Sequence, residues 1–207
     1  MNLDRSAVLT GGAAGPAPLL LLLHGFGSDE RDLPGLTAHL PAGLGWASLP
    51  GPFTAGPGRA WFPITTPGSP DPAPVHAATA AVLDWLDEAV PADRPVVPLG
   101  FSQGGLMVTQ LLRARPARFA AGVVLSGFVL HDEQPHDDEL AAVPVFWGRG
   151  DADQVIAGDA VARTAAWLPA HTDATVRVYP GMPHSVSAAE LGDVARFLTD
   201  VLGTGRG

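Results

Sequence analysis

Apolar residues gather in six short runs, at positions 17–23, 46–49, 95–101, 121–125, 144–147 and 175–179. Apolar and polar positions do not alternate cleanly within them, so they read as strands covered on both faces, the usual state of parallel strands. Between the runs the period changes. Val75, Ala78, Val82, Trp85, Leu86 and Ala89 recur at helical spacing, as do Leu191, Val194, Leu198 and Val201, each set laying one apolar stripe along a helix. Two further helices are expected at about 104–113 and 159–168, and residues 6–10 suit an edge strand. Strands alternating with helices predict an α/β fold, a mostly parallel central sheet with helices on both faces.

Segment 50–74 breaks the pattern with eight prolines and four glycines. Proline has no N–H for a ladder and clashes inside a helix, so neither a helix nor an interior strand is expected there, and the segment reads as a long loop. Trp61, Phe62 and Ile64 give it apolar anchors. They place it against the body of the protein, either near a functional site or patching the core. No internal repeat is visible, and 207 residues suit one domain spanning 1–207.

Composition narrows the chemistry. With 46% apolar and 16% charged residues the chain can bury a core, and the absence of cysteine removes disulfide frameworks, thiolate metal sites and cysteine nucleophiles. The formal net charge is −9 with no basic run, which would repel a phosphate backbone, so nucleic acid is not an expected partner. The strongly apolar stretch 19–23 is too short to cross a bilayer. The first residues include Asp4 and lack the basic-then-apolar layout of a secretory signal, so a cytoplasmic protein without stable membrane insertion is expected.

The sharpest local signal is Gly100-Phe101-Ser102-Gln103-Gly104, directly after a strand-like run and directly before a helical one. A serine on so tight a strand-to-helix turn is a nucleophile elbow, with glycines two positions either side permitting the close approach of strand and helix. The helix N-terminus then aims free N–H groups at developing negative charge. Serine needs a general base, and functional groups of an open parallel sheet gather beyond the carboxyl ends of its strands. Of seven histidines, His184 follows the run 175–179 and passes that filter, whereas His171 precedes it and fails. His39 and His76 sit in or beside helical segments. His131 and His136 stand among Asp132, Glu133, Asp137, Asp138 and Glu139, a solvated acidic loop rather than a metal site, because no regular ligand spacing supports one.

The acid that orients the histidine should follow the run 144–147, where both Asp151 and Asp153 qualify, while Asp93 precedes its strand and fails. The resulting chain order, Ser then Asp then His, is that of α/β-hydrolases. An oxyanion would be held by the backbone N–H of Gln103 and by that of Phe26, in the loop His24-Gly25-Phe26-Gly27 after the run 17–23. Phe26, Trp61, Phe128, Leu130 and Met182 are candidates for an acyl pocket, each equally readable as core packing.

With these residues placed, nearly the whole chain resembles the small carboxylesterase and lysophospholipase family that includes the acyl-protein thioesterases. The resemblance rests on His24-Gly25-Phe26-Gly27, Arg59-Ala60-Trp61-Phe62, Gly100-Phe101-Ser102-Gln103-Gly104-Gly105, Ser126-Gly127 and Met182-Pro183-His184-Ser185. It implies an α/β-hydrolase fold without a large lid domain and selects Asp153, the second acid of Gly150-Asp151-Ala152-Asp153, as the catalytic one. Two residues depart from the family pattern: Arg149 stands where a histidine is common, and Gln154 where a proline is. The expected activity is hydrolysis of small-molecule carboxylic esters, with lysophospholipid or acyl-thioester substrates open, through Ser102, His184 and Asp153 and with no metal or cofactor. The resemblance also admits a homodimer. The rival readings are an amidase or peptidase using the same triad and a catalytically silent binding module on the same fold.

Overall fold

The structure, a computed structural model, describes residues 3–203. In chain order the strands and helices are β1 (Leu9–Gly12), β2 (Leu19–Leu23), β3 (Gly45–Leu49), β4 (Phe53–Ala55), β5 (Gly58–Ala60), α1 (Pro72–Ala89), β6 (Val96–Phe101), α2 (Gln103–Ala114), β7 (Gly122–Leu125), β8 (Pro144–Gly150), α3 (Gly158–His171), β9 (Asp173–Tyr179) and α4 (Ala188–Leu202). Seven strands form one sheet in the order β1-β3-β2-β6-β7-β8-β9, antiparallel only where β1 joins β3. The expected edge strand is therefore present but shifted: Arg5–Ala7 is a 3-10 turn, and pairing begins at Leu9.

Successive side chains of each strand enter different layers. Leu19, Leu21 and Leu23 belong to the apolar layer that includes α1, α2 and α3, whereas Leu20 and Leu22 belong to the layer that includes α4 and the 3-10 segment Leu33–His39. This is why β2 is leucine throughout, since neither face meets water. Central β6 tolerates Pro98, a residue without an N–H, because β7 begins to pair with it only at Leu99.

Segment 50–74 is more ordered than its prolines suggest. Phe53–Ala55 and Gly58–Ala60 form a two-stranded ribbon that turns at Gly56, whose φ of +60° suits glycine. Residues 72–74, expected in the loop, instead open α1: Asp71 caps the helix by accepting the Ala73 N–H at 3.0 Å, and Pro72 and Pro74 lie in the first turn, where a missing N–H leaves no bond unmade. Strand β8 also runs three residues past its expected end at Trp147, through Gly148, Arg149 and Gly150.

Candidate active site

The turn from β6 into α2 holds Ser102 at φ 55°, ψ −114°, a strained conformation for a residue with a side chain. Glycines make the turn possible. A Cβ at Gly100 would overlap the carbonyl oxygen of Gly104, and one at Gly104 would overlap that of Leu23 on the neighbouring strand. The Ser102 N–H donates to Leu125 O at 2.8 Å and the Ser102 carbonyl accepts from Leu106 N–H at 3.2 Å, so the residue is pinned to β7 and to its own helix while its side chain caps nothing.

His184 follows β9, in a loop that turns at Gly181 (φ +72°) and leads into α4. Its Nδ1 lies 2.7 Å from Asp153 Oδ2, with both side chains largely buried. The other Asp153 oxygen accepts the N–H groups of Val155 (2.8 Å) and Ile156 (3.2 Å), which leaves the carboxylate little freedom to rotate. Asp151, the competing acid, is occupied elsewhere: its Oδ1 accepts the Gly181 N–H at 2.6 Å. The two aspartates thus divide the labour, Asp153 meeting the imidazole and Asp151 the turn that carries it. The His184 ring packs on Phe101, the residue before Ser102, at 4.8 Å between centroids.

The loop after β2 is pinned from two sides. Gly27 N–H donates to Arg59 O at 2.8 Å and Arg59 N–H to Ser28 O at 2.7 Å, joining it to β5. His24 is wholly buried. It donates from Nδ1 to Gly25 O (2.7 Å) and accepts the Gly51 N–H at Nε2 (2.9 Å), and burial lowers its pKa, so it stays neutral. The Gln103 side chain, unremarked in the sequence reading, is a second clamp: Oε1 accepts Trp61 N–H and Nε2 donates to Phe62 O, both at 2.7 Å.

Beside Ser102 lies a cavity of about 240 Å³ lined mainly by Phe26, Phe62, Ile64, Pro67, Phe128 and Val155. Phe26 and Phe128 reach it as anticipated. Trp61, Leu130 and Met182 do not line it. Trp61 is fully buried and donates from its indole to His24 O at 2.9 Å, while Met182 offers its carbonyl to Ala152 N–H. Phe62, Ile64 and Val155 take their place.

None of His39, His76, His131, His136 and His171 lines the cavity beside Ser102. His76 meets Asp132 at 2.9 Å, His136 meets Glu139 at 2.8 Å, His131 lies 3.4 Å from Ser69, and His171 stacks on Trp167. Among the described residues no group of three His, Cys, Asp or Glu side chains is placed to hold a metal ion.

A mostly parallel sheet with a strained serine between its central strand and the following helix, and with no large lid among the described residues, is an α/β-hydrolase fold. The carboxylesterase of Mesorhizobium loti superposes with a TM-score of 0.80 over 90% of both chains at 24% identity. Acyl-protein thioesterase 1 of Kluyveromyces lactis is 23% identical over 224 residues, covering 95% of this chain and 98% of that protein, and its counterpart in Debaryomyces hansenii is 28% identical over 168 residues, 73% of this chain and 72% of that one. The family described as Phospholipase/Carboxylesterase matches residues 5–202, and the chain belongs to it. It is a carboxylesterase-type hydrolase. No helix among the described residues is long and apolar enough to cross a membrane.

Proposed function

We propose that the protein cleaves carboxylic esters with an apolar acyl group of modest length, through Ser102 as nucleophile, His184 as general base and Asp153 as its orienting acid. Ser102 Oγ attacks the carbonyl carbon while His184 Nε2 takes its proton. The tetrahedral oxyanion sits against the N–H of Gln103, a first-turn donor without an intrahelical acceptor, and that of Phe26. Collapse expels the alcohol, protonated by His184. Water, activated by the same imidazole, then releases the acid from the acyl-enzyme.

The observation that carries this reading is the 2.7 Å contact between His184 and Asp153, beyond the same sheet edge from which the strained Ser102 projects. The cavity supports the substrate class. Its lining is largely apolar, and three of the exposed large apolar side chains, Phe26, Ile64 and Val155, stand on it. About 240 Å³ is room for roughly eight water-sized groups, which suits acyl chains of about eight carbons or fewer. Ser102→Ala should abolish turnover of p-nitrophenyl butyrate and labelling by a fluorophosphonate. Retained turnover or retained label would end the assignment.

A further inference from the structure

The cavity beside Ser102 takes much of its wall from three separate stretches of chain: residues 64–70, Phe128 after β7, and Val155 and Ile156 before α3. The first of these has little of its own to hold it. Residues 63–67 are exposed, Pro67 and Pro70 have no N–H to donate, and the bond from Ser69 N–H to Thr66 O is local. Among the described residues, two side chains from elsewhere reach the stretch by hydrogen bonding. One is His131, whose Nδ1 lies 3.4 Å from Ser69 Oγ, at the long limit for such a bond. The other is Arg163, in the second turn of α3, which donates from Nη2 to Gly68 O at 2.7 Å.

A second bond from the same side chain bears on the same cavity. Arg163 Nε donates to Val129 O at 3.1 Å, and the Val129 N–H donates to Thr164 Oγ1 at 2.9 Å, so neighbouring side chains of α3 hold both main-chain groups of the residue after Phe128. The helix itself follows directly on Val155, Ile156 and its N-cap Ala157. One guanidinium therefore joins all three stretches, its rigid fork of donors spanning two carbonyls that are distant in the chain. Glycine makes the contact possible. Gly68 has φ +73°, and a Cβ there would stand 2.8 Å from that of Ala157 and 3.1 Å from that of Ala160, so a side chain would wedge loop and helix apart. The guanidinium is half-buried, and among the described residues its hydrogen bonds go to these two carbonyls and to no carboxylate. Burial lowers its pKa, with Asp159 one turn earlier opposing the shift. A cation desolvated for the sake of neutral backbone acceptors makes charge-assisted bonds, stronger than those of a neutral donor, and is suited to holding main chain in place.

We propose that Arg163 is a specificity-determining positioning residue: by tying Gly68 and Val129 to α3 it holds the 64–70 wall in place and so sets the length of acyl group the cavity accepts. Arg163 does not itself line the cavity, and the inference rests on the reading of that cavity as the acyl site. Loss of the tie frees residues 64–70 to move outward, so short acyl chains lose contact with the wall while long ones gain room.

Full-length wild type, Arg163→Met and Gly68→Ala are compared on the p-nitrophenyl acetate, butyrate, octanoate and dodecanoate esters, and by hydrogen exchange of the peptide spanning 64–70. Methionine keeps an unbranched stem and removes both bonds, whereas alanine at 68 leaves Arg163 in place and forces the loop off the helix. In Arg163→Met, kcat on the acetate should stay within about twofold of wild type, KM for the butyrate should rise about fivefold and KM for the dodecanoate should fall about threefold. Gly68→Ala should shift the chain-length preference in the same direction, and the two substitutions together should shift it no further than the larger one alone, because they break one link. Exchange across 64–70 should quicken about tenfold in each variant. An unchanged chain-length profile overturns the proposal, as does unchanged exchange, and so does an equal loss on every ester, which would mark general damage. Where Arg163→Met does not fold, Gly68→Ala decides on the same criteria. Exchange is measured without substrate, so failure of the triad reading, seen as turnover by Ser102→Ala, stays distinguishable.

Discussion

The two halves of the site are held by different forces. At the turn from β6 into α2, Ser102 is fixed by backbone shape: Gly100 and Gly104 admit carbonyl oxygens where side chains would stand, and Gly105 and Gly127 approach so closely that a Cβ on either would crowd the other's Cα. In the loops after β8 and β9, His184 and Asp153 are fixed by polar contacts, with Asp151 bracing Gly181 and the backbone of Val155 and Ile156 bracing Asp153. Steric fixation is indifferent to pH and intolerant of added atoms. Polar fixation tolerates volume better but depends on protonation and on each partner's presence.

The largest expected effect would sharpen this contrast. Gly104→Ala drives a methyl group into the Leu23 carbonyl, backbone against backbone, and should destabilise the fold by about 3 kcal/mol or more, equally at pH 6 and pH 8, in urea unfolding. A loss that varies with pH would break the division. Next, Asp153→Asn should cut kcat by about 10³- to 10⁴-fold by disfavouring the required imidazole tautomer, whereas Asp151→Asn, whose amide oxygen still accepts the Gly181 N–H, should cost less than about tenfold. Equal losses in steady-state assays would mean that both acids serve the histidine. Smallest is Val155→Ser at the exposed cavity rim: stability unchanged within about 0.5 kcal/mol, KM for p-nitrophenyl octanoate raised about threefold, and KM for the acetate unchanged.

Legibility in the sequence follows the same division. Steric features leave marks in one dimension: the glycines around Ser102, the strand before it and the helix after it were readable because only certain residues fit there. Strand polarity likewise put His184 beyond the carboxyl end of β9, where it meets Asp153. Polar choices were not readable from spacing. Asp151 and Asp153 lie two residues apart in one turn, so spacing left both open; the resemblance selected Asp153, and in the folded chain Asp153 is the one that meets the imidazole. Trp61 suggested a substrate wall, yet its indole N–H is committed to His24, a long-range bond that no local pattern encodes. The helix expected to about Leu168 runs three residues further, carrying Pro169 in its last turn and ending at His171.

The clamp by Gln103 and His24 on segment 50–74 has a practical corollary. It grips the stretch at Gly51, Trp61 and Phe62, so the residues beyond Phe62 that wall the cavity beside Ser102 are anchored at their root. Substitutions at positions 64–70 would therefore reshape the cavity wall while leaving the turn that holds Ser102 untouched, so under the proposed function this stretch is the place to change what is cut without relearning how to cut.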